Sequence, residues 1–116
     1  ISSWFAMYGT TDIGFYFSPD QIGGTPWSNT EDYLEKSPLT YVEKVKTPIM
    51  FIHSMEDYRC WVDQALNFYT ALKALGKETE LVLFMKGSHT FGWNGKPSHR
   101  IKKLEHTHRW FDKYLK

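Results

Sequence analysis

An aspartate and a histidine set the chemical question in this sequence. Asp57 lies in FIHSMEDYRCWVDQ, residues 51–64, where an apolar run from Ile49 to Ile52 gives way at His53 to Glu56, Asp57 and Arg59. His89 lies in Lys86-Gly87-Ser88-His89-Thr90, just after a second apolar run. An imidazole has a reference pKa near ~6.5, so close to neutrality it can take a proton and return it. To act on a hydroxyl it must be held in one tautomer, with its outer nitrogen facing the nucleophile. A buried carboxylate on the inner nitrogen does this and stabilises the imidazolium that forms. The chemistry on offer is acid–base catalysis, with Asp57 orienting His89. Two ordinary surface loops are the alternative, and Glu56, beside Asp57, is the rival acid.

Elements on either side must bring the two residues together. Pro48 to Ile52 is apolar at every position after the proline, as in a strand covered on both faces. From Val62 the pattern changes: Val62, Ala65, Leu66, Tyr69, Leu72 and Leu75 recur at three- and four-residue intervals, which predicts a helix stopped by Gly76. Glu80 to Phe84 predicts a second strand, and residues 85–95 a Gly-rich loop. Pro97 suits the first turn of a last helix, since its missing N–H would be unpaired there in any case. On that helix Ile101, Leu104, His108, Phe111 and Leu115 fall along one side, flanked by Trp110 and Tyr114, while Lys102, Lys103, Arg109 and Lys113 fall along the other. The first side is expected at the core and the second in solvent. A strand, a helix and a strand in this order join parallel strands by a right-handed crossover. Both following loops then emerge at one carboxyl edge of the sheet, the edge where open α/β sheets gather ligands and catalytic groups. The order allows Asp57 and His89, 32 residues apart in sequence, to come within hydrogen-bond reach.

The first 30 residues are less regular. Their apolar bursts, Trp4 to Tyr8 and Ile13 to Phe17, are separated by Gly9, Pro19, Gly23-Gly24 and Pro26, and predict one or two helical turns joined by loops. Asn29 or Thr30 is placed to cap a short helix through Glu35 that Pro38 would end.

At 116 residues the chain is one domain or part of one. Fourteen basic against 13 acidic residues leave a net charge of +1, which offers no attraction to nucleic acid or an anionic membrane. No apolar run approaches the roughly 18 residues of a membrane span. The single cysteine, Cys60, excludes an internal disulfide framework and fits a reducing, cytoplasmic compartment. The chain opens on Ile1-Ser2-Ser3-Trp4, without Met and without a basic-then-apolar signal segment, and is expected to be cut from something longer.

Asp before His, each after a strand, is the order of the α/β-hydrolases, Ser then Asp then His. A closer likeness is carried by Ser37-Pro38, Lys46-Thr47-Pro48, His53 through Asp57 with Cys60 and Gln64, Tyr69, Ala71-Leu72 and Gly76. It continues through His89, Gly95-Lys96-Pro97-Ser98-His99-Arg100 and Trp110-Phe111, and it opens with Trp4, Met7-Tyr8-Gly9-Thr10 and Asp12-Ile13-Gly14. At these spacings nearly the whole chain resembles the end of the catalytic domain of the prolyl oligopeptidase family, in its acylaminoacyl-peptidase and dipeptidyl-peptidase branch. The resemblance implies an α/β fold, the truncated carboxyl-terminal portion of an α/β-hydrolase, with residues 1–116 as one fragment of the catalytic domain. It implies Asp57 as triad acid and His89 as triad base of a serine peptidase acting on peptide or acyl-peptide bonds, with no metal and no organic cofactor. The partners it implies are a peptide substrate and the remainder of the catalytic domain. The family's nucleophile stands in a G-x-S-x-G elbow, and no such motif occurs in this sequence. In the family that serine precedes the point where this chain starts, as does an amino-terminal β-propeller. Ser54 stands where a Gly usually follows the His, Trp61 where a Pro usually follows the Cys, and Thr90-Phe91-Gly92-Trp93 is unlike the usual segment. These departures bear on loop shape and substrate preference.

Other residues have plainer readings. His53 closes a strand as a packed, hydrogen-bonded residue, and His99 anchors the start of the last helix. His106 and His108 point about 200° apart on a helix, so one metal ion could not take both; His108 is assigned to the core edge. Cys60 carries no sign of activation. Ser2, Ser3, Ser54 and Ser88 sit in no strained elbow, and none is expected to be a nucleophile. Glu105 and Arg109 are spaced for a helix-surface pair. The chain alone is expected to be inactive. An esterase on the same fold is one alternative, and a non-catalytic α/β binding or assembly module is the other. Half of the parent sheet is missing, which leaves the first strand with an unpaired edge and apolar faces. A homo-oligomer through that edge, strand exchange or low solubility is the expected result.

Overall fold

The computed structural model of the chain describes residues 1–115. In order they form α1 (Trp4–Thr10), α2 (Gly14–Ile22), α3 (Thr30–Glu35), a 3-10 segment (Pro38–Lys44), β1 (Ile49–Ser54), α4 (Asp63–Ala74), β2 (Thr79–Phe84), α5 (Phe91–Asn94) and α6 (Pro97–Tyr114). The two apolar runs pair as a parallel two-stranded sheet, in register from Ile49 opposite Thr79 to Ser54 opposite Phe84. The helical period between them is α4. Its last turn closes with Gly76 at φ +67°, where Gly76 N–H donates to the Lys73 carbonyl at 3.0 Å and Lys77 N–H to that of Leu72 at 2.9 Å. A left-handed glycine satisfies two otherwise orphaned carbonyls in this way and stops the helix.

Side chains alternate along a strand, and the two faces meet different helices. Phe51 packs on Phe68 of α4, ring centroids 5.6 Å apart. On the alternate face Phe84 packs against His99 of α6, with centroids 5.3 Å apart, and Glu80 meets Arg109. Of the predicted α4 stripe, Val62, Ala65 and Leu72 are buried, whereas Leu66 and Leu75 remain exposed. The outer edge of β1 pairs with no strand among the described residues.

The amino-terminal part is more regular than its sequence predicts. Two full helices, α1 and α2, replace the expected turns, and Pro19 lies inside α2 rather than dividing it from its neighbour. The Ser3 hydroxyl accepts from Ala6 N–H at 3.3 Å and starts α1. Asn29 precedes α3 without capping it; its side-chain NH2 donates instead to the Gly23 carbonyl at 2.7 Å and to Asp32 at 3.0 Å. Met7 and Tyr33 from these helices are fully buried with Leu72. Within the expected 85–95 loop, residues 91–94 wind into the single turn of α5.

α6 corrects the expected placement of its faces. Ile101, Leu104, Phe111 and Leu115 are exposed, and the His108 side chain is 80% exposed beside Asp112 rather than at the core edge. Lys102, Arg109 and Lys113 of the basic side are exposed as expected, yet Arg109 and Lys113 also reach acids at the start of β2 and just before it. Arg109 bonds Glu80, and Lys113 and the Tyr114 hydroxyl reach Glu78 at 2.7 and 2.6 Å. These two hydrogen bonds, Lys113 first, hold the Glu78 carboxyl below its usual range. Exposed pairs of this kind are screened by water and contribute little, so the burial of Trp110 supplies most of the anchoring. Glu105 pairs with Lys102 at 2.6 Å rather than with Arg109. Among the described residues no helix is long and apolar enough to cross a membrane.

Candidate active site

Beyond Ser54 the chain turns tightly, with Met55 N–H donating to the Phe84 carbonyl at 2.9 Å and Asp57 N–H to that of Ser54 at 3.3 Å. The turn buries Asp57 to 6% exposure. Its Oδ1 accepts from the backbone N–H groups of Arg59 at 3.1 Å and Cys60 at 2.9 Å. Its Oδ2 lies 2.8 Å from Nδ1 of His89. A carboxylate only accepts, so the hydrogen lies on Nδ1 and the lone pair on Nε2. The ring that carries it is half exposed. This is the arrangement that holds an imidazole ready to receive a proton at its outer nitrogen.

The surroundings explain why the acid turn keeps its shape. His53 Nε2 donates to the Cys60 carbonyl at 2.7 Å and stands 3.7 Å from Asp57 Oδ2, so His53 is the packed, hydrogen-bonded residue its strand-end position suggests. Asp12 N–H donates to the Tyr58 carbonyl at 3.0 Å, and its carboxylate accepts from Arg59 Nε at 2.9 Å. Tyr58 stacks on Trp61 at 5.2 Å. At the start of α4 the buried Gln64 accepts from Ser2 N–H at 2.7 Å and Ser3 N–H at 3.0 Å, and donates to the Ser3 carbonyl at 3.1 Å. The amino-terminal helices thus act as a brace for the acid turn. Burial pushes the Cys60 thiol above its usual range, which disfavours the reactive thiolate.

The rival acid has another partner: Glu56 is exposed and its Oε2 accepts from Gly87 N–H at 3.1 Å. The four serines also have other partners. Ser2 bonds Gln64, Ser3 caps α1, Ser54 bonds the Gly87 carbonyl and Ser88 faces Thr90; none hydrogen-bonds to His89 among the described residues. His106 lies beside Arg109 and His108 beside Asp112. No group of three or more His, Cys, Asp or Glu among the described residues is arranged to hold a metal ion. A groove of about 400 Å³ lined by Glu56, Lys86, Ser88 and His99 borders the loop that carries His89. Sequence reasoning missed the bracing by Asp12 and Gln64, for which no local pattern gives a signal. The approach of His53 to Asp57 had one, its place at the strand end four residues earlier.

Residues 1–116 match the Prolyl oligopeptidase family over their whole length. An uncharacterized peptidase of Bacillus subtilis, YuxL, is 40% identical over 115 residues, covering 99% of this chain and 18% of that protein. The acylamino-acid-releasing enzyme of Mus musculus is 39% identical over 93 residues, covering 72% of this chain and 12% of that enzyme. The solved structure of uncomplexed Pyrococcus horikoshii acylaminoacyl peptidase matches all of this chain and 19% of that one, with a TM-score of 0.96 at 45% identity. The chain therefore spans less than a fifth of the length of these relatives. Its fold is that of the α/β-hydrolase catalytic domain. From the parallel strands that carry Asp57 and His89 to the last helix, this chain belongs to the prolyl oligopeptidase family.

Proposed function

We propose that Asp57 and His89 are the acid and base of a Ser-His-Asp triad in a serine peptidase that hydrolyses peptide or acyl-peptide bonds. The nucleophilic serine comes from a segment preceding Ile1 in the full-length protein. Residues 1–116 are then the carboxyl-terminal fragment of a catalytic domain, inactive alone. The observation that carries this reading is the 2.8 Å hydrogen bond from His89 Nδ1 to buried Asp57 at the carboxyl edge of a parallel sheet.

In the proposed reaction, His89 Nε2 takes the serine proton as the serine oxygen attacks the scissile carbonyl carbon. Asp57 stabilises the imidazolium. When the carbon–nitrogen bond breaks, His89 gives that proton to the leaving amine. Water then enters and attacks the acyl carbon as His89 takes its proton, and His89 returns that proton to the serine oxygen as the ester bond breaks. These steps call for no metal and no organic cofactor. The names of the acylamino-acid-releasing and acylaminoacyl relatives support an acylated peptide as substrate. The proposed setting is the cytoplasm, where a lone thiol such as Cys60 stays reduced.

A serine-reactive fluorophosphonate tests the reading. The chain alone should take up no label, and the full-length protein should be labelled at a serine outside residues 1–116. Acyl-peptide hydrolysis by the full-length protein should disappear in His89→Ala. Specific labelling of a serine in the chain alone would refute the proposal.

A further inference from the structure

We infer that Ser54 and Glu56 are positioning residues for His89, gripping its loop by the two polar backbone groups of a single residue, Gly87. The inference rests on the catalytic reading of His89 above. Ser54 stands at the last rung of β1, opposite Phe84, and is 1% exposed. Its hydroxyl donates to the Gly87 carbonyl, while Glu56 Oε2 accepts from Gly87 N–H at 3.1 Å. One backbone residue is thus held from both sides, two positions before His89.

Gly87 is where the loop needs holding. It adopts φ +128°, a conformation that L side chains rarely take, and a Cβ there would lie 2.7 Å from Cβ of Phe91. A glycine at such a bend has more conformational freedom to lose than any other residue, so its geometry must be imposed by partners. Packing cannot fix the histidine itself, because its ring is half exposed. The next backbone bond along, Phe91 N–H to the Ser88 carbonyl at 3.0 Å, closes the loop on itself and ties it to nothing else.

Both gripping residues belong to the turn that presents Asp57. The Ser54 carbonyl accepts from Asp57 N–H at 3.3 Å, and the Ser54 hydroxyl accepts from Glu56 N–H at 3.4 Å. The acid and the base are therefore mounted on one hydrogen-bonded unit, and the bond from Asp57 to His89 does not have to hold the base loop by itself. A glycine or alanine at position 54 would leave the Gly87 carbonyl without this donor.

The test uses the full-length protein with Ser54→Ala, Glu56→Ala and Glu56→Gln. Amide exchange of the segment 85–90 is followed by mass spectrometry, and kcat and KM are measured on an acyl-peptide substrate. Loss of one hydrogen bond should speed exchange about fivefold in each alanine variant. Misplacement of the base should lower kcat about tenfold, with KM changed less than about twofold. Glu56→Gln keeps an acceptor and should restore most of both, and unchanged exchange across α4 marks each variant as folded. Unchanged exchange at 85–90 in both alanine variants would overturn the grip. Faster exchange with unchanged kcat would overturn the positioning role. If the catalytic reading itself is wrong, His89→Ala leaves kcat intact, while the exchange measurement still decides whether Ser54 and Glu56 hold the loop.

Discussion

Replacing Asp57 with Asn should disable the proposed base without disturbing the fold, and the hydrogen bonds around the carboxylate say why. Oδ1 accepts two backbone N–H groups, from Arg59 at 3.1 Å and Cys60 at 2.9 Å. An asparagine keeps them only by leaving its carbonyl oxygen there. Turned over, its NH2 would face two donors and leave both unpaired, at about 1–3 kcal/mol each. Even at the lower bound, about 2 kcal/mol favours the first orientation by about thirtyfold. The amide NH2 then occupies the place of Oδ2, against His89 Nδ1. Nδ1 must become the acceptor, the ring hydrogen moves to Nε2, and the outer nitrogen can no longer take the serine proton. In the template triad the same substitution lowers kcat about 10⁴-fold, or about 5.4 kcal/mol of transition-state stabilisation. The assay is kcat of the full-length protein on an acyl-peptide anilide near pH 7.5, alongside circular dichroism to verify folding. A folded Asp57→Asn protein retaining more than about a tenth of the unsubstituted kcat would refute the reasoning.

Gln64→Ala removes four hydrogen bonds between α4 and the first residues of the chain, and should destabilise the protein by about 2–4 kcal/mol in urea unfolding; a loss under about 0.5 kcal/mol would sink this account of the brace. Glu78 has a carboxyl depressed by Lys113 and Tyr114 in the folded state, so its contribution is present above its unfolded pKa of about 4.3 and is lost as pH falls through the lower folded value. Amide exchange at the end of α6 should therefore rise below about pH 4, and Glu78→Gln should remove that pH dependence; an unchanged profile would count against the anchor. Leu104→Lys combined with Phe111→Glu alters only exposed positions and should shift unfolding of the chain by less than about 1 kcal/mol while reducing its self-association in sedimentation. A larger loss of stability would mean that this side of α6 is part of the core after all.

The central β-α-β unit was legible because its signals are strong and local. Proline and consecutive apolar residues bound β1, a sustained 3.6-residue period marks α4, and Gly76 ends it. Topology allows the meeting of Asp57 and His89, since parallel strands deliver both following loops to one edge, and the family resemblance is what singles the pair out. The amino-terminal helices were not, because bursts of a few apolar residues around Gly9 and Pro19 sustain no period. The faces of α6 were misread for a different reason. Amphipathicity tells that a helix has two sides but not which side meets which neighbour, and here Glu80 on β2 and Glu78 just before it pair with Arg109 and Lys113 of the basic side. Ser54 and Glu56 looked like a departure from pattern and a spare acid. Their partner is a backbone group 31 or more residues away, which side-chain types alone do not reveal.

The register of the two strands makes the proposed acid–base couple a reporter of correct threading. Ser54 opposite Phe84 is the final rung before both functional loops begin. Sliding one strand by a single residue would displace its loop by about 3.3 Å and exchange its two faces. That displacement exceeds the 2.8 Å span between Asp57 and His89, so a chain folded one rung out of step loses this hydrogen bond even if every helix has formed. On the proposed reading, hydrolysis by the full-length protein would serve as a gauge of how faithfully β1 and β2 have been laid down.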